Sequence, residues 1–347
     1  MPSPAGLPDH SANAVGSPAG TAGCFSCVVD DHPRFHLDAI RWFTALTVVA
    51  GVDPHDLVVH VVGRETSDAL DYLRAEGVTV RPVERFDPRS PHCNKIAGAL
   101  RLAEDARNGI MVLCDTDVVV LDDPRGIPVP PDAIAGKPVD SPVPPYEVIL
   151  AIFDAAGVGA PPPVPLPWGA DRQTVRGNSN GGLYLIPGPL LSDVALAWAR
   201  WARWLLDRAE LLSDWTVYID QVAMAIALAA TGTGSMGLDV RWNTPTHDPT
   251  TIPAQAAEPS IIHYHQQVDL GGRLLPTGVP SIDGRISTAN HAIDHLWPDG
   301  LPKSTYEEWL SLGGPDPTAS GTGATTKSAH LLGRGRRILA KGRRGRH

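Results

Sequence analysis

The sequence has little cysteine, no long apolar run and no basic face along its main body, and each shortage removes a class of protein. Four cysteines in 347 residues, Cys24, Cys27, Cys93 and Cys114, are too few and too scattered for a disulfide framework. Cys24 and Cys27 form a lone CxxC with no second pair at zinc-site spacing. They lie in the apolar run CFSCVVD, where small thiols serve as core. No apolar run reaches the ~18–20 residues of a membrane-spanning helix. The opening MPSPAGLPDHSANAVGSPAG has neither the basic nor the apolar region of a secretory signal, so the expected location is cytoplasmic. The formal net charge is −9, and residues 334–347 carry seven Lys or Arg and no acid, which leaves −16 on the rest. Phosphate neutralisation needs a basic face, so no nucleic-acid partner is expected. The tail 334–347 offers at most a weak contact to an anionic membrane surface and is otherwise a solvated end.

Proline and glycine are plentiful instead, 34 of each, with proline near twice its usual ~5%. Residues 1–22 are Pro, Gly, Ala and Ser without a period and read as disordered. From Cys24 onward apolar runs alternate with amphipathic segments of helical length. CFSCVVD (24–30), DLVVHVVG (56–63), VTVRPVERF (78–86) and GIMVLCDTD (109–117) read as strands. The segments between them read as helices, one capped by Ser67 and stopped by Gly77. This alternation predicts βαβ units, a mostly parallel sheet, and ligands at the carboxyl ends of its strands. The expected organisation is a single domain over 23–314 and a disordered basic tail over 315–347. Twelve prolines in residues 128–167 mark 128–170 as a surface excursion, of the kind that forms binding walls or lids.

Further on, NGGLYLIP is followed by a helix from Ser192 to about Leu212, then a helix within 216–232. Strands are expected near 238–242 and 260–265, with loop beyond. Trp198, Trp201 and Leu205 form a stripe that reads as core. GTGSMG (232–237) matches the dinucleotide fingerprint, but it follows a helix and precedes a strand, the reverse of what pyrophosphate binding needs. It reads as a helix stop.

The sharpest chemical signal is IMVLCDTDVVVLDDP (110–124). Asp115 and Asp117 close an apolar strand and point the same way, because side chains repeat every second residue. Two carboxylates on one face repel unless positive charge lies between them, and a hard divalent cation with oxygen ligands suits that place.

This segment resembles the DxD motif of nucleotide-diphospho-sugar glycosyltransferases with the GT-A fold. The resemblance implies a Rossmann-like α/β/α sandwich in which Asp115 and Asp117 hold Mn²⁺ or Mg²⁺ against the donor diphosphate. Three later segments match in order. NSNGGLYLIP (178–187) resembles the family's N-x-G strand and implies that Asn180, Gly181 and Gly182 lie against the donor sugar. YIDQVAMAIAL (218–228) resembles the D-Q helix start of glycogenin-like transferases, which implies Asp220 and Gln221 beside the transferred sugar. SIIHYHQQVD (260–269) resembles the late strand that gives a histidine to the same metal. His263 fits best, with His265 and His247 as alternatives. Upstream, PHCNKIAG (91–98) implies that Lys95 touches the nucleotide or diphosphate, and Asp30 and Asp31 end the first strand, where base and ribose are received. The implied partners are a UDP- or GDP-sugar and an unknown acceptor hydroxyl on the side of the 128–170 excursion. The stereochemistry stays open, with Asp220 or Asp171 as the base of an inverting enzyme.

Two other readings compete. A haloacid-dehalogenase-type phosphatase would use Asp115 as its nucleophile, and a non-catalytic protein would bind the nucleotide sugar without turnover. On the expected boundaries, a chain of residues 23–314 melts within a few degrees of the full chain in a thermal-shift measurement, because the ends contribute little packed core.

Overall fold

The protein is described from a computed structural model over residues 23–312, apart from 106–107, 248–251, 254–255, 270 and 299. The expected disordered segment 1–22 and the basic tail lie outside the described residues. The chain opens with repeated strand–helix units: β1 (Cys24–Val29), α1 (Pro33–Thr44), β2 (Leu57–Val61), α2 (Asp68–Ala75), β3 (Thr79–Pro82), α3 (Asn94–Ala103) and β4 (Ile110–Cys114). Their limits follow local chemistry. Pro33 pre-sets the first turn of α1. The Ser67 hydroxyl accepts the Leu70 N–H to start α2, and Gly77 follows at φ +92°, a backbone that glycine adopts without strain.

The middle of the chain gives β5 (Val118–Val120), β6 (Ala133–Gly136), α4 (Tyr146–Ala156), β7 (Pro163–Leu166), β8 (Gly169–Val175), β9 (Leu183–Pro187), α5 (Gly188–Leu206) and α6 (Ile219–Thr231). It ends with β10 (Gly234–Gly237), β11 (Thr244–Pro245), β12 (Ile261–His263), α7 (Pro280–Leu296) and α8 (Lys303–Ser311). Seven strands form the central sheet in the order β10-β6-β9-β4-β1-β2-β3. All neighbours are parallel except β9, which runs antiparallel to β4 and β6. A small sheet, β11-β12-β5, stands at the carboxyl end of β4.

Strand side chains alternate between two cores, as the period of two requires. Phe25, Cys27, Val29, Val112 and Cys114 face a core shared with α1, α2, α7 and α8. Cys24, Met111 and Leu113 face a second one, shared with α3, α4, α5 and α6. The result is the mostly parallel sheet that the alternation predicts, within the α/β/α sandwich that the resemblance implies. All four cysteines are buried and none is in a disulfide, and Trp198, Trp201 and Leu205 are core. Among the described residues no helix is long and apolar enough to cross a membrane.

The sequence reading needs three corrections here. The proline-rich stretch is not wholly an excursion, because AIAG within it is β6, a strand of the central sheet that is buried throughout. The strand expected near 238–242 lies earlier: Gly232, at φ +70°, stops α6, and Gly234–Gly237 itself pairs with β6. Beyond residue 270 the chain is not loop, since α7 and α8 pack on α1 and α2. Their sparse apolar positions, with Ile282, Ile286, Ala289 and Ile293 buried among polar residues, give too thin a stripe to stand out.

Two buried histidines predict acid lability. His60 in β2 meets the Ser26 hydroxyl at 3.1 Å and His36 in α1 meets Ser67 at 2.9 Å. Burial, helped by nearby arginines, pushes both rings down to about 4. An unfolded histidine titrates near 6.5, so below that pH the unfolded chain takes up protons that the folded chain refuses. The stability these two residues allow is complete above pH 6.5 and is lost as pH falls toward 4. Urea unfolding at pH 5 against pH 7.5 is expected to show a fall of about 2 kcal/mol per histidine, and His60→Asn to lessen it by about that much.

Candidate functional site

Strand β4 delivers the first two acids. Its buried run ends at Cys114, and Asp115 and Asp117 follow at the carboxyl edge of the sheet. Valines 118–120 then turn away into β5, which pairs antiparallel with β12 and sets His263 opposite Val118. This pairing brings together residues nearly 150 positions apart. One ligand atom each from Asp115, Asp117 and His263 lies within 4.8 Å of the others. His263 Nε2 is 3.2 Å from Asp117 Oδ1. The Tyr264 N–H donates to the Asp117 carbonyl at 3.0 Å, and the Tyr264 hydroxyl donates to buried Asp38 at 2.8 Å, so the turn carrying the histidine is tied down on both sides.

Of the three candidate histidines, the structure brings His263 to the carboxylates. The His265 ring stacks on His263, centroids 3.6 Å apart, and bonds the His263 carbonyl at 2.9 Å through Nδ1. His247 meets His265. Two carboxylates and an imidazole suit Mn²⁺, and the carboxylates alone suit Mg²⁺. The residues present therefore fit a divalent cation.

Strand β9 enters antiparallel beside β4, with Cys114 opposite Leu183 and the Asp115 N–H bonded to the Gly182 carbonyl at 3.1 Å. The two glycines before it are demanded by the site itself. A Cβ on Gly182 would stand 2.6 Å from the His263 ring, and one on Gly181 would stand 3.0 Å from both Lys95 Nζ and Asp220 Oδ2. The space they leave is thus filled by the site's own side chains. Gln221 reaches the same glycine, its Cγ 3.3 Å from the Gly181 Cβ position.

Lys95 occupies the centre of the acidic group. Its ammonium lies 2.6 Å from Asp115 Oδ1 and 3.3 Å from Asp220 Oδ2, and donates to the Gly181 carbonyl at 3.0 Å. Its three protons are committed to these acceptors. Burial disfavours that charge, but the Asp115 and Asp220 carboxylates outweigh burial and hold the ammonium well above its usual range. At Asp117 burial again opposes ionisation, and the His263 ring overrides it, holding the carboxyl well below the usual range. Asp220 is buried at the start of α6, and its backbone carbonyl accepts the Trp198 indole N–H at 2.7 Å.

Asp30 lies further out, where its carboxylate accepts Asn94 Nδ2 at 2.6 Å. Burial raises its pKa. Asp31 stands next to Arg64, at 3.8 Å. The side chain of Asp171 falls outside what the structure describes. Sequence reasoning missed Lys137, Asp140 and Asn243. Lys137 is fully buried just beyond β6 and ion-paired with Asp140, and Asn243 is buried against His263. A lysine in the apolar run AIAGKPV was the available signal for the first pair. RWNTP carries none for Asn243.

Gly182→Ala is expected to push His263 off Asp117. Divalent-cation binding should weaken about 10-fold or more, measured by Mn²⁺ titration, with a stability loss of about 1–3 kcal/mol from the overpacked contact.

No curated protein matches the sequence. Among solved structures, the galactosyltransferase LgtC in complex with donor and acceptor sugar analogs aligns with a TM-score of 0.49 at 14% identity, over 80% of this chain and 99% of that one. Mouse xyloside xylosyltransferase 1 in its apo form aligns at 0.42 and 16% identity, over 70% of this chain and 98% of that one. The glycosyltransferase GlyE of Streptococcus pneumoniae TIGR4 aligns at 0.45 and 12%, over 86% and 66%. By sequence, residues 56–232 match the Rhodobacterales glycosyltransferase domain. That span is half of the chain and carries the Asp115–Asp117 turn, the Gly181–Gly182 strand entry and the Asp220–Gln221 helix start, and by it the protein belongs to the Rhodobacterales glycosyltransferase domain family.

Proposed function

We propose that this glycosyltransferase takes its sugar from a UDP- or GDP-linked donor and works with a divalent cation, Mn²⁺ or Mg²⁺. The convergence of Asp115, Asp117 and His263 within 4.8 Å carries the reading. These three residues would hold the cation, which when bound would neutralise charge developing on the departing nucleoside diphosphate.

The remaining roles fall to this chain's own groups. Asp30, held by Asn94, faces the ribose and base at the end of β1. The Asn180–Gly182 backbone forms the floor under the donor sugar. Asp220 and Gln221 stand on its far side, and Lys95 holds Asp115 and Asp220 at a fixed separation. In this arrangement Asp220, ion-paired with the ammonium, lies beside the reacting carbon, where a carboxylate can orient the sugar or an acceptor hydroxyl. The parts of 128–170 outside β6 form the acceptor wall, since loops around a rigid sheet are where binding surfaces vary. A cytoplasmic setting belongs to this reading, supported by four buried cysteines that form no disulfide. The 23–314 domain boundaries and the weak membrane contact of the basic tail are kept as part of the same proposal.

A phosphatase with Asp115 as nucleophile is set aside. The family is one of transferases, and Asp115 Oδ1 is engaged by Lys95 at 2.6 Å. The non-catalytic alternative separates from an active enzyme by turnover, since an active enzyme slowly hydrolyses its nucleotide sugar when Mn²⁺ is present.

Calorimetric titration of UDP and GDP is expected to show binding with Mn²⁺ that EDTA abolishes. Asp117→Ala should lower turnover by about 100-fold or more, the equivalent of several kcal/mol of lost charge stabilisation. Equal nucleotide affinity with and without EDTA would refute the metal-dependent reading.

A further inference from the structure

The site's histidine is oriented by a hydrogen-bond chain that begins on the opposite side of β9. Lys137 is fully buried and paired with Asp140 Oδ1. A lysine ammonium can only donate and a carboxylate can only accept. The second Asp140 oxygen therefore selects the nitrogen end of the Asn180 amide, and Asn180 Nδ2 donates to Asp140 Oδ2 at 3.2 Å. This turns Asn180 Oδ1 the other way, where it accepts the Gly182 N–H at 2.9 Å and Asn243 Nδ2 at 3.2 Å. With its nitrogen committed, Asn243 presents Oδ1 to His263 Nδ1 at 3.2 Å. A carbonyl oxygen needs a proton from its partner, so Nδ1 carries hydrogen. Nε2, 3.2 Å from Asp117 Oδ1, is the nitrogen turned to the carboxylates and the one that a cation between them would meet.

We infer that Asn243 is a positioning residue that commits His263 to offer Nε2 to the cation, with its own orientation dictated through Asn180 by the buried Lys137–Asp140 pair. The inference rests on the reading of His263 as a ligand. Without an acceptor at Nδ1 the neutral imidazole would place its one hydrogen on Nε2 and donate it to Asp117, which would bar the lone pair from a metal. Asn243 Oδ1 gives that hydrogen a place on Nδ1, so that a cation can take Nε2. Each amide has one favourable orientation because a carboxylate stands at its head, and each member is buried or half-buried, where a reversed amide would leave polar atoms unpaired. The chain also passes through Asn180, whose oxygen holds the Gly182 N–H, so the strand entry beneath the proposed sugar and the metal-facing imidazole share one acceptor.

The test uses the full-length protein. Binding of Mn²⁺ alone is followed by electron paramagnetic resonance in the wild type and in Asn243→Ala, Asn243→Asp and His263→Ala. A partner of a ligating histidine is worth about 10–100-fold in metal affinity, so Asn243→Ala is expected to raise the Kd for Mn²⁺ by that factor. Asn243→Asp keeps an oxygen acceptor at Nδ1 and should restore binding to within a few-fold of the wild type, which a merely structural asparagine would not do. If Asn243→Ala binds Mn²⁺ like the wild type while His263→Ala binds weakly, the inference is overturned and the metal reading stands. If His263→Ala also binds like the wild type, both fall. A measurement on the unaltered protein covers the case of a variant that does not fold. Nitrogen-15 spectra of histidine-labelled wild type should show a proton on His263 Nδ1, and a bare Nδ1 overturns the inference.

Discussion

Like charges crowded at one edge of a sheet are the constraint around which the molecule is arranged. Asp115, Asp117 and Asp220 stand where β4, β9 and α6 meet, Asp220 buried and the other two half-buried, and carboxylates withdrawn from water without a partner cost up to several kcal/mol each. The fold answers with basic groups on fixed elements. Lys95 on α3 spans Asp115 and Asp220, and His263 on β12 faces Asp117. Both basic groups come from regular elements rather than from loops, so the separation of the carboxylates is set by backbone geometry. In the proposed reading, a divalent ion joining this group would add positive charge, which would favour a ligand that brings negative charge with it, as a diphosphate does.

The same constraint explains the two glycines at the entry to β9. If Lys95 and Asp220 are to meet on one side of that strand and His263 is to lie on the other, the backbone between them must be bare. The Cβ positions of Gly181 and Gly182 fall at 3.0 Å and 2.6 Å from those groups. The strand entry acts as a thin partition between the Lys95–Asp220 pair and the imidazole. Its Gly181 carbonyl serves Lys95 on one side, and the Gly182 N–H is fixed by Asn180 on the other.

What could be read from the chain follows from how local each signal is. β1 to β4 are continuous apolar runs between capped helices, and period and capping are encoded within a dozen residues, so these elements were legible. Asp115 and Asp117 were legible because a same-face pair at a strand end needs only the local period. His263 is brought in by the β5–β12 pairing, a contact over more than a hundred residues that no periodicity encodes. It was reached only through resemblance to a family. β6 was hidden because prolines flank a four-residue strand, and α7 because its apolar stripe is thin. Asn243 lay wholly out of reach, since an asparagine's role here depends on which end of its amide is taken, and that is decided by Asp140 about a hundred residues earlier.

A polar chain with one possible direction also accounts for a buried lysine that looks wasteful by itself. Burial opposes the Lys137 charge and lowers its pKa, with Asp140 working against that fall. Replacing such a pair by apolar residues is often neutral or favourable for stability, so stability alone is a poor reason to keep it. Direction is a better one. An amide chain ending on a neutral hydroxyl or on water could reverse as a unit at little cost, since hydroxyls and water both donate and accept. Ending on a carboxylate that is itself held by an ammonium, it cannot. The ion pair lies two amides away from the imidazole and touches neither proposed ligand carboxylate, yet it determines which face of His263 is nucleophilic toward a cation.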